Sequence, residues 1–270
     1  MRDGSDRPER HPGLIVEQYR DERRLQSRFA VHESFSTAKI NYLAWIFDHI
    51  LKGGHHSILD LGAGPGYLWQ HNLIRVPADW SLYLADASPG MLARAQNDLR
   101  ELSKQTEFIQ LEGKRLAFST NTMDAALALH VLHLLSDLTA ALREIRRVLE
   151  PGGKLYAGTN GELHMLELRQ ALKRFEVKTA YFPSTHGFSV QKGRAVLLEL
   201  FDYVDCMRFK DALEITQVLP LLEYARSGIP EKQLSGQMRA LDRLEQYWEE
   251  ELQREGAIRI QKETALFIAW

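Results

Sequence analysis

Cysteine is nearly missing from this 270-residue chain: Cys206 is the only one. A lone thiol excludes an intrachain disulfide and a cysteine metal cluster. Its apolar, strand-like surroundings predict a buried small hydrophobe rather than a nucleophile. Long apolar runs are missing too, since none approaches the roughly 20 residues that span a bilayer. The charged N-terminus has no apolar segment of the kind a secretory signal needs. The expectation is a soluble, cytoplasmic-type protein with no membrane span. Nor is there an excess of charge of one sign, with 34 basic against 36 acidic residues and a net charge of -2. That balance gives no electrostatic bias toward nucleic acid or an anionic membrane. Repeats and low-complexity runs are absent as well. What the chain does have is 44% hydrophobic and 26% charged residues, ordinary for a globular protein. Its length fits one large domain or two small ones.

The informative stretch is 58–66, Ile-Leu-Asp-Leu-Gly-Ala-Gly-Pro-Gly. A short apolar run ending in an acid reads as a buried strand, and Gly62, Gly64 and Gly66 as the turn leaving its carboxyl end. In an open α/β sheet that edge is where ligands bind, and glycine lets a ligand approach the backbone closely. The spacing departs from the dinucleotide fingerprint G-x-G-x-x-G, because Tyr67 stands where the third glycine belongs. A P-loop would need a lysine after its last glycine, and none follows Gly66. Asp60 at the strand end can hold a cationic amino group over the turn. The pattern suits a nucleoside with an amino-acid tail better than one with a pyrophosphate.

Along the chain, residues 1–13 read as a mobile tail and 14–54 as N-terminal helices. Arg20, Arg23, Arg24 and Arg28 interleave with Asp21 and Glu22, which predicts a solvated helix face. Strands are expected at 58–61, 82–86, 108–111, 123–129 and 154–158, with helices between them. Asp86 lies 20 residues beyond Gly66, where this topology places a carboxylate for ribose hydroxyls. Alternating strands and helices predict an α/β fold with a doubly wound, mostly parallel sheet. Its carboxyl edge would carry Asp60, Asp86, Glu112 and His130. Residues 55–160 form the cofactor half. Beyond Thr159 the alternation stops, and 161–270 reads as a substrate-side half with a helical cap. Within it, 201–209 has strand character, 218–227 and 233–255 are helical, and 257–270 is a single closing strand.

These residues resemble a class I S-adenosylmethionine-dependent methyltransferase, in the group that includes ubiquinone/menaquinone-biosynthesis-type and other small-molecule enzymes. The likeness rests on 58–66, on Leu-Ala-Asp-Ala-Ser-Pro-Gly-Met-Leu at 84–92, on 124–135, and on 141–155 with its Glu-Pro-Gly-Gly. It implies a Rossmann-like, seven-stranded sheet and S-adenosyl-L-methionine as cofactor, with S-adenosyl-L-homocysteine as product. By the same resemblance, Gly62, Ala63, Gly64 and Gly66 would lie against the methionine part and Asp60 near its amino group. Asp86 would take the ribose, while Ala87 and Met91 border the adenine. Glu112 would meet the adenine amino group, with Gly113 and Lys114 offering backbone amides. Leu129 and His130 would sit beside the sulfonium.

Methyl transfer is a displacement at carbon with a good leaving group, so positioning can carry most of the rate. A neutral hydroxyl acceptor would also need a base, and histidine is the usual candidate near neutral pH. His130 is the preferred candidate, followed by His133 and by Tyr19 folding over from the N-terminal helix. His164 and His186 fall in the cap. Each histidine can equally be a packed or exposed residue with no role. His130 and His133 have a spacing that could ligate a metal, but no partner ligands lie near them in sequence, so no metal is expected. The predicted partner is a small-molecule methyl acceptor at O, N or C. Two alternatives are a non-catalytic S-adenosylmethionine-binding scaffold and a nicotinamide-dependent oxidoreductase. A nucleic-acid methyltransferase has no basic stripe to support it.

Overall fold

The computed structural model describes residues 22–111, 115–179 and 187–270. Helices α1 (Glu22–Phe35) and α2 (Tyr42–Leu51) come first. The α2 start is fixed by Asn41, whose side chain accepts from Leu43 N and Ala44 N, satisfying amides that have no partner inside the helix. Then follow β1 (Ser57–Leu61), α3 (Tyr67–His71), β2 (Ser81–Asp86), α4 (Pro89–Asp98) and β3 (Thr106–Gln110). After these come β4 (Met123–Leu129), α5 (Leu138–Val148) and β5 (Leu149–Asn160). Ser88 and Asp137 cap α4 and α5, accepting from Met91 N and Ala140 N.

The second half contains α6 (Leu166–Arg174), α7 (Gly193–Leu197), β6 (Val204–Phe209) and β7 (Ala212–Ile215). It continues through α8 (Val218–Ser227), α9 (Glu231–Leu234), α10 (Met238–Glu255), β8 (Ile258–Gln261) and β9 (Thr264–Ala269). The main sheet has seven strands in the order β3-β2-β1-β4-β5-β9-β6. All run parallel except β9, which pairs antiparallel with both β5 and β6. The expected doubly wound, mostly parallel sheet is therefore present. Strand order reverses between β1 and β4, which makes the edge beside them the crevice where open α/β sheets bind ligands.

Helices cover both faces. Ile46, Phe47 and Trp69 pack with Leu82 and Leu84 on one side, and Leu142, Ile145 and Phe188 with Phe267 on the other. A third core lies away from the sheet, built from Leu213, Leu221, Leu241, Leu244, Trp248 and Ile258 and joined by Val31 and Leu168. It belongs to the insert between β6 and β9, which has its own two-stranded sheet with Leu213 opposite Ile260.

Two expectations are corrected here. The closing strand is not single: 257–270 splits into β8, which pairs with the insert's β7, and β9, which enters the main sheet. Its alternation served two different surfaces, since β8 alternates buried and exposed while β9 is buried at every position. Cys206 is exposed rather than buried, because β6 pairs only with β9 and forms the sheet's edge. No helix among the described residues is long and apolar enough to cross a membrane.

Candidate functional site

A cavity of about 1230 Å³ opens at the carboxyl edge, beside β1 and β4. Its first wall is the glycine turn. Gly62 N and Ala63 N both donate to Ala85 O, at 2.8 and 3.1 Å, and Gly66 N donates to Ala63 O at 3.1 Å. Gly62 has φ +73°, and a Cβ there would stand 2.6 Å from Val131 Cγ2. Only glycine lets the loop after β4 close this tightly on the turn. Gly64 has φ +56°, and a Cβ on it would meet nothing within 4 Å. The space above its backbone belongs to the cavity.

Asp86 ties this wall together. Its Oδ2 accepts from Gly64 N at 2.9 Å and its Oδ1 from Ser88 N at 2.8 Å. Burial raises its pKa, opposed by those backbone amides. Asp60 is only 3% exposed, and Trp69 Nε1 donates to its Oδ2 at 2.8 Å. Burial pushes the Asp60 carboxyl up to about 7, against the Trp69 hydrogen bond and helped by the nearby Asp86 charge. A carboxyl that is costly to ionise, beside a backbone cradle open to the cavity, suits a ligand with a cationic amine. Ala87, Met91 and Leu129 line the same wall. Gly66 opens α3 as its N-cap residue. Glu112, Gly113 and Lys114 lie outside the described residues, as do Tyr19 and His186.

His130 marks the middle of the cavity. Its backbone is left-handed at φ 57°, held by its N–H on Gly158 O at 2.9 Å. The ring Nε2 is 3.0 Å from Tyr42 Oη. Burial lowers the His130 pKa to about 3, with His133 and Lys262 adding to the shift, so the ring is neutral. Burial also pushes the Tyr42 phenol up. His133 is buried in the short turn Leu132–Leu134 and lines the cavity. Among the described residues no group of His, Cys, Asp and Glu could hold a metal ion.

The far wall was not visible in the sequence. Arg28 and His32 of α1 line it with His164, Arg169 of α6, and Asp211 and Lys262 from the two ends of the insert; the His32 and His164 rings are 5.9 Å apart. Arg28 was expected on a solvated face, but it is 4% exposed and lines the cavity. Leu25, Arg28, Phe29 and His32 all line it, and their 3- and 4-residue spacing was the available signal. His164 also faces the cavity, its Nδ1 accepting from Glu263 N at 3.3 Å. Tyr42 was missed because its partner His130 is 88 residues away, and Trp69 because it meets Asp60 only once the glycine turn has folded α3 back over β1.

The family described as "Methyltransferase domain" matches residues 59–157. Demethylmenaquinone methyltransferase from Protochlamydia amoebophila is 35% identical over 103 residues, which is 37% of this chain and 43% of that protein. The chain thus spans under half the length of that relative. Among solved structures, a possible histamine N-methyltransferase from Thermotoga maritima matches with a TM-score of 0.55 at 15% identity, covering 96% of this chain and 99% of that one. The cyclase SpnF matches with a TM-score of 0.58 at 16% identity, covering 95% and 94%. At such identities the structural likeness shows the fold alone.

Proposed function

We propose that the chain, whose residues 59–157 match the methyltransferase-domain family and which is similar over part of its length to demethylmenaquinone methyltransferase, is a class I S-adenosylmethionine-dependent methyltransferase that transfers a methyl group to an O, N or C atom of a small molecule in the cytoplasm. One observation carries the reading. A single cavity runs from the glycine turn, past His130, to a second wall of polar side chains. Its volume exceeds the ~300–1,000 Å³ of a typical single-ligand pocket, which leaves room for cofactor and acceptor together.

The cofactor supplies an activated methyl group on a sulfonium. The chain's own residues bind and align. Asp60 takes the amino group of the methionine part, and its carboxyl ionises as it does so. Gly62, Ala63, Gly64 and Gly66 let that part lie on the backbone. Asp86 keeps the turn in place through Gly64 N and Ser88 N and accepts from the ribose hydroxyls. Ala87, Met91 and Leu129 form the apolar border, and Glu112, Gly113 and Lys114 are assigned to the adenine.

His130 faces the reacting atoms with its neighbour Tyr42. A neutral imidazole there adds no positive charge beside a sulfonium, and it accepts a hydrogen bond or a proton from the acceptor. Its lowered basicity leaves positioning as the larger contribution. His133 supports His130 from the next turn, and Tyr19 is assigned to cover the acceptor. Calorimetric titration with S-adenosylhomocysteine, alongside NADH and ATP, tests the reading. Micromolar binding of the first alone is expected, and its absence would overturn the proposal.

A further inference from the structure

We propose that the far wall of the cavity selects a methyl acceptor bearing an oxyanion, a carboxylate or a phosphate, held between Arg28 of α1 and Arg169 of α6. This deepens the methyl-transfer reading and rests on it. The charged side chains lining that wall are Arg28, Arg169 and Lys262, facing Asp211 and Glu33, with the exposed Lys39 at the mouth.

The two acids already have structural work. Asp211 forms an ion pair with Lys262. It also accepts from Ser36 Oγ at 2.8 Å, Thr37 N at 3.1 Å and Ala38 N at 3.2 Å, pinning the end of α1 to the insert. Glu33 is exposed at the rim and accepts from Asn41 Nδ2 at 2.7 Å. Neither carboxylate is directed at Arg169. That guanidinium donates through Nη2 to the Glu162 carbonyl, while its buried Nε–H has no acceptor among the described residues. The buried His32 Nδ1 likewise has no hydrogen-bond partner among the described residues.

A buried guanidinium N–H such as the Arg169 Nε–H is costly until an acceptor meets it. Planar guanidinium forks match carboxylate and phosphate better than an ammonium would. The imidazoles sense the same field. His32, His130 and His164 are all held neutral, chiefly by burial, with Lys262 contributing at each, Arg28 at His32 and Arg169 at His164. Asp211 acts in the opposite direction at His32 and does not cancel the effect. Phe29, Tyr42 and Tyr224 supply apolar and aromatic surface for the rest of the molecule. Two of the non-glycine residues with left-handed backbone, His130 in the middle of the cavity and Met165 beside the far wall, line the cavity, consistent with strain being kept where ligands are gripped.

The test titrates benzoate, phenyl phosphate and neutral benzamide into the protein by calorimetry, with and without saturating S-adenosylhomocysteine. Saturable millimolar or tighter binding of one or both anions is expected, with none for benzamide. The two anion arms distinguish carboxylate from phosphate. R169M should weaken the bound anion roughly tenfold or more while S-adenosylhomocysteine affinity holds, and R169K should recover part of the loss. Equal binding of benzamide, indifference to R169M, or no anion binding would each overturn the inference. Failure of S-adenosylhomocysteine itself would strike the methyl-transfer reading instead, and the anion arm on the free protein would still be read.

Discussion

The two walls of the cavity are built by different means. The cofactor wall uses backbone amides and carboxylates from the ends of neighbouring strands β1, β2 and β4, with Asp86 bonded directly to Gly64 N across 22 residues. The acceptor wall uses side chains brought from α1, the start of α6 and the insert, where Asp211 and Lys262 are 51 residues apart. Backbone geometry at adjacent strand ends needs only a local pattern. A constellation of side chains on distant elements needs the cap to be docked, so its stability depends on packing far from the chemistry. The first wall follows from a local sequence pattern, and the second exists only once the insert has docked.

Removing the insert's central side chain should separate the two walls most sharply. Trp248 is 2% exposed in the insert core, so Trp248→Ala is expected to cost about 3–5 kcal/mol in denaturant unfolding. The cofactor wall lies outside that core, and the folded fraction should keep its affinity for S-adenosylhomocysteine. An equal loss of affinity would break the division between the walls.

Asp86→Ala acts on the other side. It leaves Gly64 N and Ser88 N without their acceptor, and bonds to a charged group contribute about 1.5–3 kcal/mol each. S-adenosylhomocysteine affinity should fall roughly 100-fold, with anion binding at the far wall preserved. Unchanged cofactor affinity would refute the placement of the ribose site.

Smaller and more specific is a pH dependence. The Asp60 carboxyl is raised to about 7 and must ionise to meet an ammonium group. Affinity for S-adenosylhomocysteine should therefore rise as pH increases toward 7, by about tenfold per unit below it, then level off. Asp60→Asn should flatten the curve; a wild-type curve that is already flat would remove Asp60 from the site. For the unliganded protein the signs run oppositely on the two walls. A raised Asp60 pKa gives stability that is fully present below the ordinary carboxyl range and is lost as pH climbs through about 7. Lowered pKa values near 3 for His32 and His130 give stability present above about 6.5 and lost as pH falls toward 3. Acid should therefore loosen the acceptor wall and relax the strain at Asp60, which amide exchange at α1 and α3 would resolve.

The least effect is expected from Tyr42→Phe, which removes one hydrogen bond to His130. A loss of about 0.5–1.5 kcal/mol and a severalfold fall in turnover should come with unchanged cofactor affinity. Full turnover in the variant would leave Tyr42 as packing only.

How far the chain could be read follows the same division. Asp60, Gly62 and Asp86 were legible because a short apolar run, an acid and alternating glycines form a local pattern with one structural meaning. Arg28 was misassigned because charges beside it on the helix imitate a solvated face, and only the docked insert buries it. Cys206 erred the other way, since an apolar run does not say that its strand is the last in the sheet. The split of 257–270 was hidden because only Lys262 and Glu263 separate β8 from β9, although the two strands serve different cores.

By itself, then, the sequence determined the alternation of strands and helices, the turn after β1, and the acids Asp60 and Asp86 at two strand ends. These depend on interactions within a few residues, or between strands whose order the crossover rules restrict. Tertiary structure alone decided that Tyr42 meets His130, that Trp69 holds Asp60, and that Arg28, Arg169 and Lys262 share one wall. The reason is physical: hydrophobic burial is non-directional and fixes which faces are covered. Which polar groups meet inside is set only when the whole chain has packed.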